Sequence, residues 1–266
     1  MIASRTVAAA ALALAVGLPA SIVAQPGTPP VLAAARQLVL VTSGGWDSTT
    51  AVLRRYERAV PNAPWRPVGD AVPVVLGRTG LAWGVGQGAA PAGAPVKREG
   101  DGRSPAGVYP LLHAFGDSAH AAPLAPALAP VLLAADPVCV DDAASPLYNA
   151  VVDSAGAGGA RWASAERMRE VAGYRLGLVV GYNGAWTRAA AVRAGPAGGR
   201  PPVRGRGSCI FLHVWDGPTR PTAGCTAMAE PVLAALLGWI DPARSPALVQ
   251  LPAGELGRRR GRWQLP

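Results

Sequence analysis

The sequence predicts a mainly β protein, a sandwich or barrel-like arrangement of mixed sheets with one or two helices. Three observations carry this. The 266 residues include 33 Gly and 27 Pro, a density of punctuation that breaks helices and suits short strands joined by turns. Apolar residues come in runs of strand length between those turn residues. The three- and four-residue apolar spacing of an amphipathic helix is convincing in one segment alone. Hydrophobic residues make up 50% and charged residues 15%, so a core can form and wholesale disorder is excluded.

Taken in order, Met1 to Thr6 carry one Arg, Val7 to Ala20 is apolar, and Ile22-Val23-Ala24 precedes Gln25 as a small-residue cleavage pattern. Residues 1–24 therefore read as a secretory signal. The apolar run falls short of the ~20 residues that span a bilayer. No stable membrane span is expected after cleavage, and an uncleaved anchor is the alternative. Export to the periplasm or cell wall follows, and with it a compartment that permits disulfides. Residues 25–36 read as a linker, and residues 37–266 as a single domain.

Strands are expected at Gln37 to Thr42, Ala51 to Tyr56, Ala71 to Gly77, Leu81 to Gly84, Val108 to Phe115, Val138 to Val140, Tyr148 to Val152, Tyr174 to Tyr182, Ser208 to Trp215 and Ala247 to Leu251. Ser164 to Glu170 reads as a short polar helix. Ala229 to Ile240 is the convincing helix: Val232/Leu233, Leu236/Leu237 and Trp239/Ile240 form one stripe. Glu230 suits its positive first turn, Pro231 its first position, and Asp241-Pro242 ends it. Ala119 to Pro130 and Gly195 to Pro202 read as loops.

The net charge is +9. A basic surface favours an anionic partner such as nucleic acid, acidic lipid or bacterial wall polymer. The charge is scattered, however, with clusters only at Arg200/Arg204/Arg206 and at Arg258 to Arg260 plus Arg262, which read as a solvated surface and a frayed tail. No phosphate loop or nucleotide fingerprint occurs, so neither a nucleic-acid partner nor an organic cofactor is expected. Asp141 and Asp142 are strand neighbours pointing to opposite faces, so they do not suggest a metal site.

The sharpest signal is in the cysteines. There are three, Cys139, Cys209 and Cys225, and His213 lies twelve residues before the last. In Ser208-Cys-Ile-Phe-Leu-His-Val214, strand alternation puts Cys209, Phe211 and His213 on one face. The chain then turns through Asp216 to Pro221 and reaches Thr222-Ala-Gly-Cys225, with the Ala229 helix close behind. A cysteine on a glycine-preceded turn near a helix start favours thiolate. N–H groups around Thr222, Ala223, Gly224 and Cys225 suit an oxyanion hole, and an imidazole nearby suits proton transfer. On the residues alone, a packed core Cys with a satisfied core His is the favoured reading and catalysis the minority one. A zinc site at Cys209, His213 and Cys225 matches none of the usual ligand spacings.

Ile210-Phe-Leu-His213 followed by Pro221-Thr-Ala-Gly-Cys225 resembles the active-site signature of the L,D-transpeptidase catalytic domain (YkuD) family. Ser104-Pro-Ala-Gly-Val-Tyr109, within the stretch from Val96, resembles that family's upstream segment. The resemblance spans roughly Val96 to Pro252. It departs at Ala223, where the family commonly has His, and at Ala227, where it commonly has Arg, which marks a divergent branch. It implies an L,D-transpeptidase-like β fold and an exported acyl transferase acting on peptidoglycan stem peptides. Cys225 would be the nucleophile, forming a thioester, and His213 the base. Gly107, Tyr109 and Arg220 would border substrate, with no metal or cofactor. Hydrolysis of the same peptides, as an L,D-carboxypeptidase or endopeptidase, is the alternative reaction, and an inactive wall-binding module the alternative class. Lys97, Arg98, Glu99 and Asp101 either border the groove or form a surface hairpin. With Cys225 taken as nucleophile, Cys139 and Cys209 are left to pair as a disulfide, or else all three are reduced.

Cleavage before Gln25 is the first testable outcome. N-terminal sequencing of the native protein should begin near Gln25; an intact Met1 in the cytoplasm refutes the signal.

Overall fold

A computed structural model describes residues 27–117, 131–132, 136–156, 161–184, 186–189, 192–193 and 200–266. The predicted signal at 1–24, the loop at 119–130 with His120, and most of the loop at 195–202 lie outside the described residues. The fold is mainly β. Its strands are β1 (Gln37–Ser43), β2 (Thr50–Glu57), β3 (Arg66–Val75), β4 (Leu81–Trp83), β5 (Ser104–Gly116), β6 (Val131–Leu132), β7 (Pro137–Val140), β8 (Ala150–Asp153), β9 (Ala165–Arg167), β10 (Leu176–Val180), β11 (Trp186–Ala189), β12 (Val192–Arg193), β13 (Phe211–Val214), β14 (Thr226–Met228) and β15 (Ala247–Pro252). The α-helices are α1 (Pro30–Ala34), α2 (Glu230–Trp239) and α3 (Ala253–Arg259).

The main sheet runs β10-β13-β14-β3-β2-β1-β15-β5, and β10 pairs again with β5, so eight strands close into a barrel. β4 lies outside β5, and β1 and β15 run parallel. Every residue of β15 and all but one of β1 are buried, which explains why both read as unbroken apolar runs. A second sheet, β12-β11-β8-β7-β9, sits beside the barrel. Helix α2 carries the chain from β14 to β15. It turns Leu233, Leu236 and Leu237 into the core, the stripe expected from spacing. Among the described residues no helix is long and apolar enough to cross a membrane.

Several expectations need correction. The stretch read as a linker contains α1, whose Leu32 is 1% exposed and belongs to the core. Ser164 to Glu170 is not one helix: β9 occupies Ala165–Arg167 and a 3₁₀ turn follows, because pairing with β7 overrides local preference. Tyr174 belongs to another 3₁₀ turn (Ala172–Arg175) ahead of β10. The strand expected from Ser208 forms only from Phe211. The basic tail is not frayed: in α3, Arg258 and Arg259 both pair with buried Glu255, and Arg259 stacks over Trp83 at 4.6 Å. The β9–β7 pairing and the Arg259–Trp83 stacking need partners far away in sequence, so periodicity does not report them.

Helix α1 is anchored by Arg58. Its guanidinium donates to the carbonyls of Ala35 (2.6 Å), Leu32 (2.7 Å) and Ala33 (3.0 Å), and lies 4.2 Å over Trp65. Arg58→Ala leaves three carbonyls without that donor, and should cost about 3 kcal/mol in urea unfolding and expose residues 27–36 to protease. Unchanged stability would show α1 to be dispensable.

Candidate active site

The turn that carries Cys225 is assembled from the two stretches that suggested chemistry. Thr222 N–H donates to Leu76 O and Arg78 N–H to Thr222 O, which lays the turn against the end of β3. The Cys225 carbonyl accepts from Thr222 Oγ1 (2.6 Å) and Ser104 Oγ (2.8 Å). Ser104 opens β5, so the upstream segment buttresses the turn directly. Gly224 sits at φ +155°, where an added Cβ would lie 3.1 Å from Arg103 O. A strand, β14, intervenes between Cys225 and α2. The expected helix-terminus effect on the thiol is therefore absent, because the dipole acts only within about the first turn.

β13 and β14 pair in parallel, with His213 opposite Ala227 and Leu212 opposite Thr226. That register sets Cys225 beside Phe211, whose N–H donates to Sγ at 3.3 Å. Cys225 and His213 line one cavity of about 480 Å³. The ring and the sulfur share a neighbour: Tyr174 lies 5.0 Å from the His213 ring, edge-on, with its hydroxyl 3.8 Å from Sγ. Gly173 permits this approach, since a Cβ there would collide with Val214 O and crowd His213 Nδ1. His213 Nδ1 lies 2.8 Å from Val214 O. The nitrogen facing a carbonyl carries the proton, which leaves Nε2 as the basic atom.

Cys139 and Cys209 are joined by a disulfide that closes a sequence separation of 70 and ties β7 of the second sheet to the segment leading into β13. Cys225 is the free cysteine. Cys209 sits at φ +55°, held by its N–H donating to Asn149 Oδ1 (2.9 Å). Its carbonyl accepts the Cys225 S–H at 3.3 Å. Asn149 and Asn183, both at positive φ, brace the surrounding loops, as turn residues do.

Burial governs the electrostatics. It pushes the Cys225 thiol up to about 12, with the nearby Glu166 charge adding to the rise, and pulls His213 down to about 4. The resting pair is a neutral thiol and a neutral imidazole. The sequence expectation of a favoured thiolate is overturned by desolvation. Glu166, on β9 opposite Cys139, is pushed up to about 7 by burial, with the Asp141 charge adding to the rise; its hydrogen bond from Tyr174 (2.9 Å) opposes.

Of the expected site residues, Cys225, His213, Gly224, Ala223, Thr222 and Arg220 line the cavity. Gly107 and Tyr109 do not. Both are buried in β5, where Gly107 lies opposite Gln250 and Tyr109 packs edge-on against Tyr182. The Gly224 N–H is not free for an oxyanion, since it donates to Thr222 Oγ1 at 3.1 Å. Lys97 and Glu99 line the cavity. Lys97 pairs with Asp101 (2.6 Å), and Glu99 accepts from Tyr148 and Ser208. Sequence reasoning missed Glu166, Tyr174, Asp141 and Arg78. Among the described residues Asp141 Oδ1 is buried without a hydrogen-bond partner. No spacing links these residues to Cys225; only the second sheet and the disulfide bring Glu166 and Asp141 here.

Compared with known protein families, with curated proteins and with solved structures, the chain matches none.

Opposed pH slopes follow from these shifts. Between about 6.5 and 4 the unfolded chain binds a proton at His213 that the folded protein refuses, so stability is lost as pH falls. Between about 4.5 and 7 the folded protein keeps a proton on Glu166 that the unfolded chain releases, so stability is lost as pH rises. The two oppose each other from 4.5 to 6.5. In urea titrations, Glu166→Gln should unmask a stability that rises with pH there, and His213→Ala one that falls. Slopes of up to about 1.4 kcal/mol per unit are expected. Unchanged slopes in both variants would refute the assignments.

Proposed function

We propose that the protein is a cysteine-dependent acyl transferase acting on peptidoglycan stem peptides, as its local resemblance to the L,D-transpeptidase family implies. The observation that carries the reading is the placement in one cavity of His213, on β13, and Cys225, on the turn that leads into β14, the strand paired in parallel with β13. The Nδ1 side of the imidazole is held by Val214 O, which turns Nε2 to proton transfer. The Thr222-to-Cys225 turn is braced by Ser104 of the upstream segment, which gives both stretches of the resemblance a part in one site.

In this reading the carbonyl between the third residue of a stem and its terminal D-Ala enters beside Sγ. Because thiol and imidazole are both neutral at rest, the S–H proton passes to His213 Nε2 as sulfur attacks, rather than from a preformed ion pair. The oxyanion meets the Cys225 N–H rather than the occupied Gly224 N–H. The tetrahedral intermediate collapses, the C–N bond breaks, and His213 returns the proton to the departing D-Ala amine. A thioester remains. An acceptor amine then attacks it, losing its proton to Nε2, and the thiol is restored. Arg78 and Arg220, on the cavity wall with Lys97, suit the carboxylates of an anionic stem. A basic protein of net charge +9 suits an anionic wall.

The test is incubation of the full chain with defined tetrapeptide muropeptides and identification of products by mass. Cross-linked dimers support transfer, tripeptides indicate hydrolysis of the same bond, and unchanged substrate refutes the enzyme reading in favour of a binding module. His213→Ala should reduce acylation of Cys225 by ~10²–10⁴-fold, and Cys225→Ala should abolish it. Acylation at an unchanged rate in His213→Ala would overturn its role as base.

A further inference from the structure

Glu166 and Tyr174 form a hydrogen-bonded chain that ends on the sulfur. Tyr174 Oη lies 2.9 Å from Glu166 Oε1 and 3.8 Å from Cys225 Sγ. A phenol has one O–H and can donate in one direction at a time. We propose that Glu166, acting through the Tyr174 hydroxyl, is a positioning residue that decides whether the Cys225 sulfur receives a hydrogen bond from that hydroxyl. The inference rests on the reading of Cys225 as nucleophile.

The physical argument concerns proton direction. When Glu166 is a carboxylate it can only accept, so the Tyr174 O–H is committed to it and the phenol lone pairs face the sulfur. Sγ then has one donor, the Phe211 N–H, while its own proton goes to the Cys209 carbonyl. That arrangement holds a thiol. When Glu166 carries a proton it donates to Tyr174 Oη. The Tyr174 O–H swings to Sγ and gives the sulfur a second donor, and the negative charge that opposes a thiolate is gone. That arrangement favours a thiolate. Tyr174 has no latitude to leave: it is 3% exposed and packs edge-on against Phe115, Phe211 and His213.

The groups facing this chain are few. Asp141, just after β7, adds negative charge beside Glu166 and favours its protonated form. On and after β9, Arg167 and Glu170 pair with each other on the exposed side. Lys97, across the cavity, acts on the sulfur in the sense that favours thiolate. His213 gives up its proton near 4, well below the range in which Glu166 does so, near 7. The disulfide partner Cys139, opposite Glu166, does not titrate.

The experiment reads thiol reactivity rather than turnover, so its failure is distinguishable from failure of the peptidoglycan reading. The unreduced full chain is alkylated with iodoacetamide from pH 5.5 to 9.5. Cys225 is the only free thiol, and its modification is followed by mass. A lone thiol far below its pKa gains about tenfold in rate per pH unit. The wild type should show a shallow stretch around pH 7, gaining less than about threefold per unit as Glu166 ionises and the sulfur loses its second donor. Glu166→Gln removes the charge, and its profile should rise about tenfold per unit throughout. In Tyr174→Phe the shallow stretch should shrink, since only the direct field of Glu166 remains. A wild-type profile without the shallow stretch overturns the proposal whether or not any variant folds. A shallow stretch that persists in Glu166→Gln, or is unaltered in Tyr174→Phe, also overturns it.

Discussion

The pairing of β10 with β5 closes the barrel, and the site depends on that closure. β10 is bonded to β5 on one side and to β13 on the other, so β13 and β14 have no open edge even though they are four and three residues long. Such short strands would hold their register poorly at a sheet edge. Inside the ring, backbone bonds on both sides fix it. The register alone sets His213 opposite Ala227 and Cys225 beside Phe211. A slip of one residue would turn His213 away from the cavity.

A second constraint is layered on the first. The disulfide ties β7 to Cys209, and the Cys209 carbonyl touches the Cys225 thiol. One crosslink thus locates both the small sheet and the atom that holds the thiol proton. β9 comes with β7 and delivers Glu166 to Tyr174. Buried polar groups around this junction are almost fully satisfied, through Asn149, Asn183, Glu99 and Ser208, which is the condition under which such networks rigidify a structure.

The cavity is electrostatically quiet at rest, and this has a physical basis. Desolvation penalises the thiolate and the imidazolium alike, so each group keeps its neutral form. A buried pair of that kind reacts slowly with solvent-borne electrophiles, at a rate set by its small thiolate fraction.

Much of the fold was legible in the sequence because it rests on local rules. Apolar runs located β1 and β15, the three- and four-residue stripe located α2, and Gly/Pro density excluded a helical bundle. Cys225 and His213 were legible as a pair worth attention, because strand alternation and a Gly-Cys turn are short-range features. The rest depended on contacts distant in sequence. α1 is held by Arg58 and α3 by the stacking of Arg259 over Trp83, neither of which periodicity reports. Gly107 and Tyr109 sit in a matching motif yet face the core, since the pleat, not the motif, assigns faces. The thiolate expected from the turn gives way to a neutral thiol, because burial is a property of the assembled barrel. Glu166 and Tyr174 became partners of the sulfur only through sheet pairing and a crosslink that spans seventy positions. Sequence by itself located most of the strands and singled out Cys225 and His213; tertiary structure alone decided their neighbours and their protons, because desolvation and hydrogen-bond direction depend on what packs around an atom.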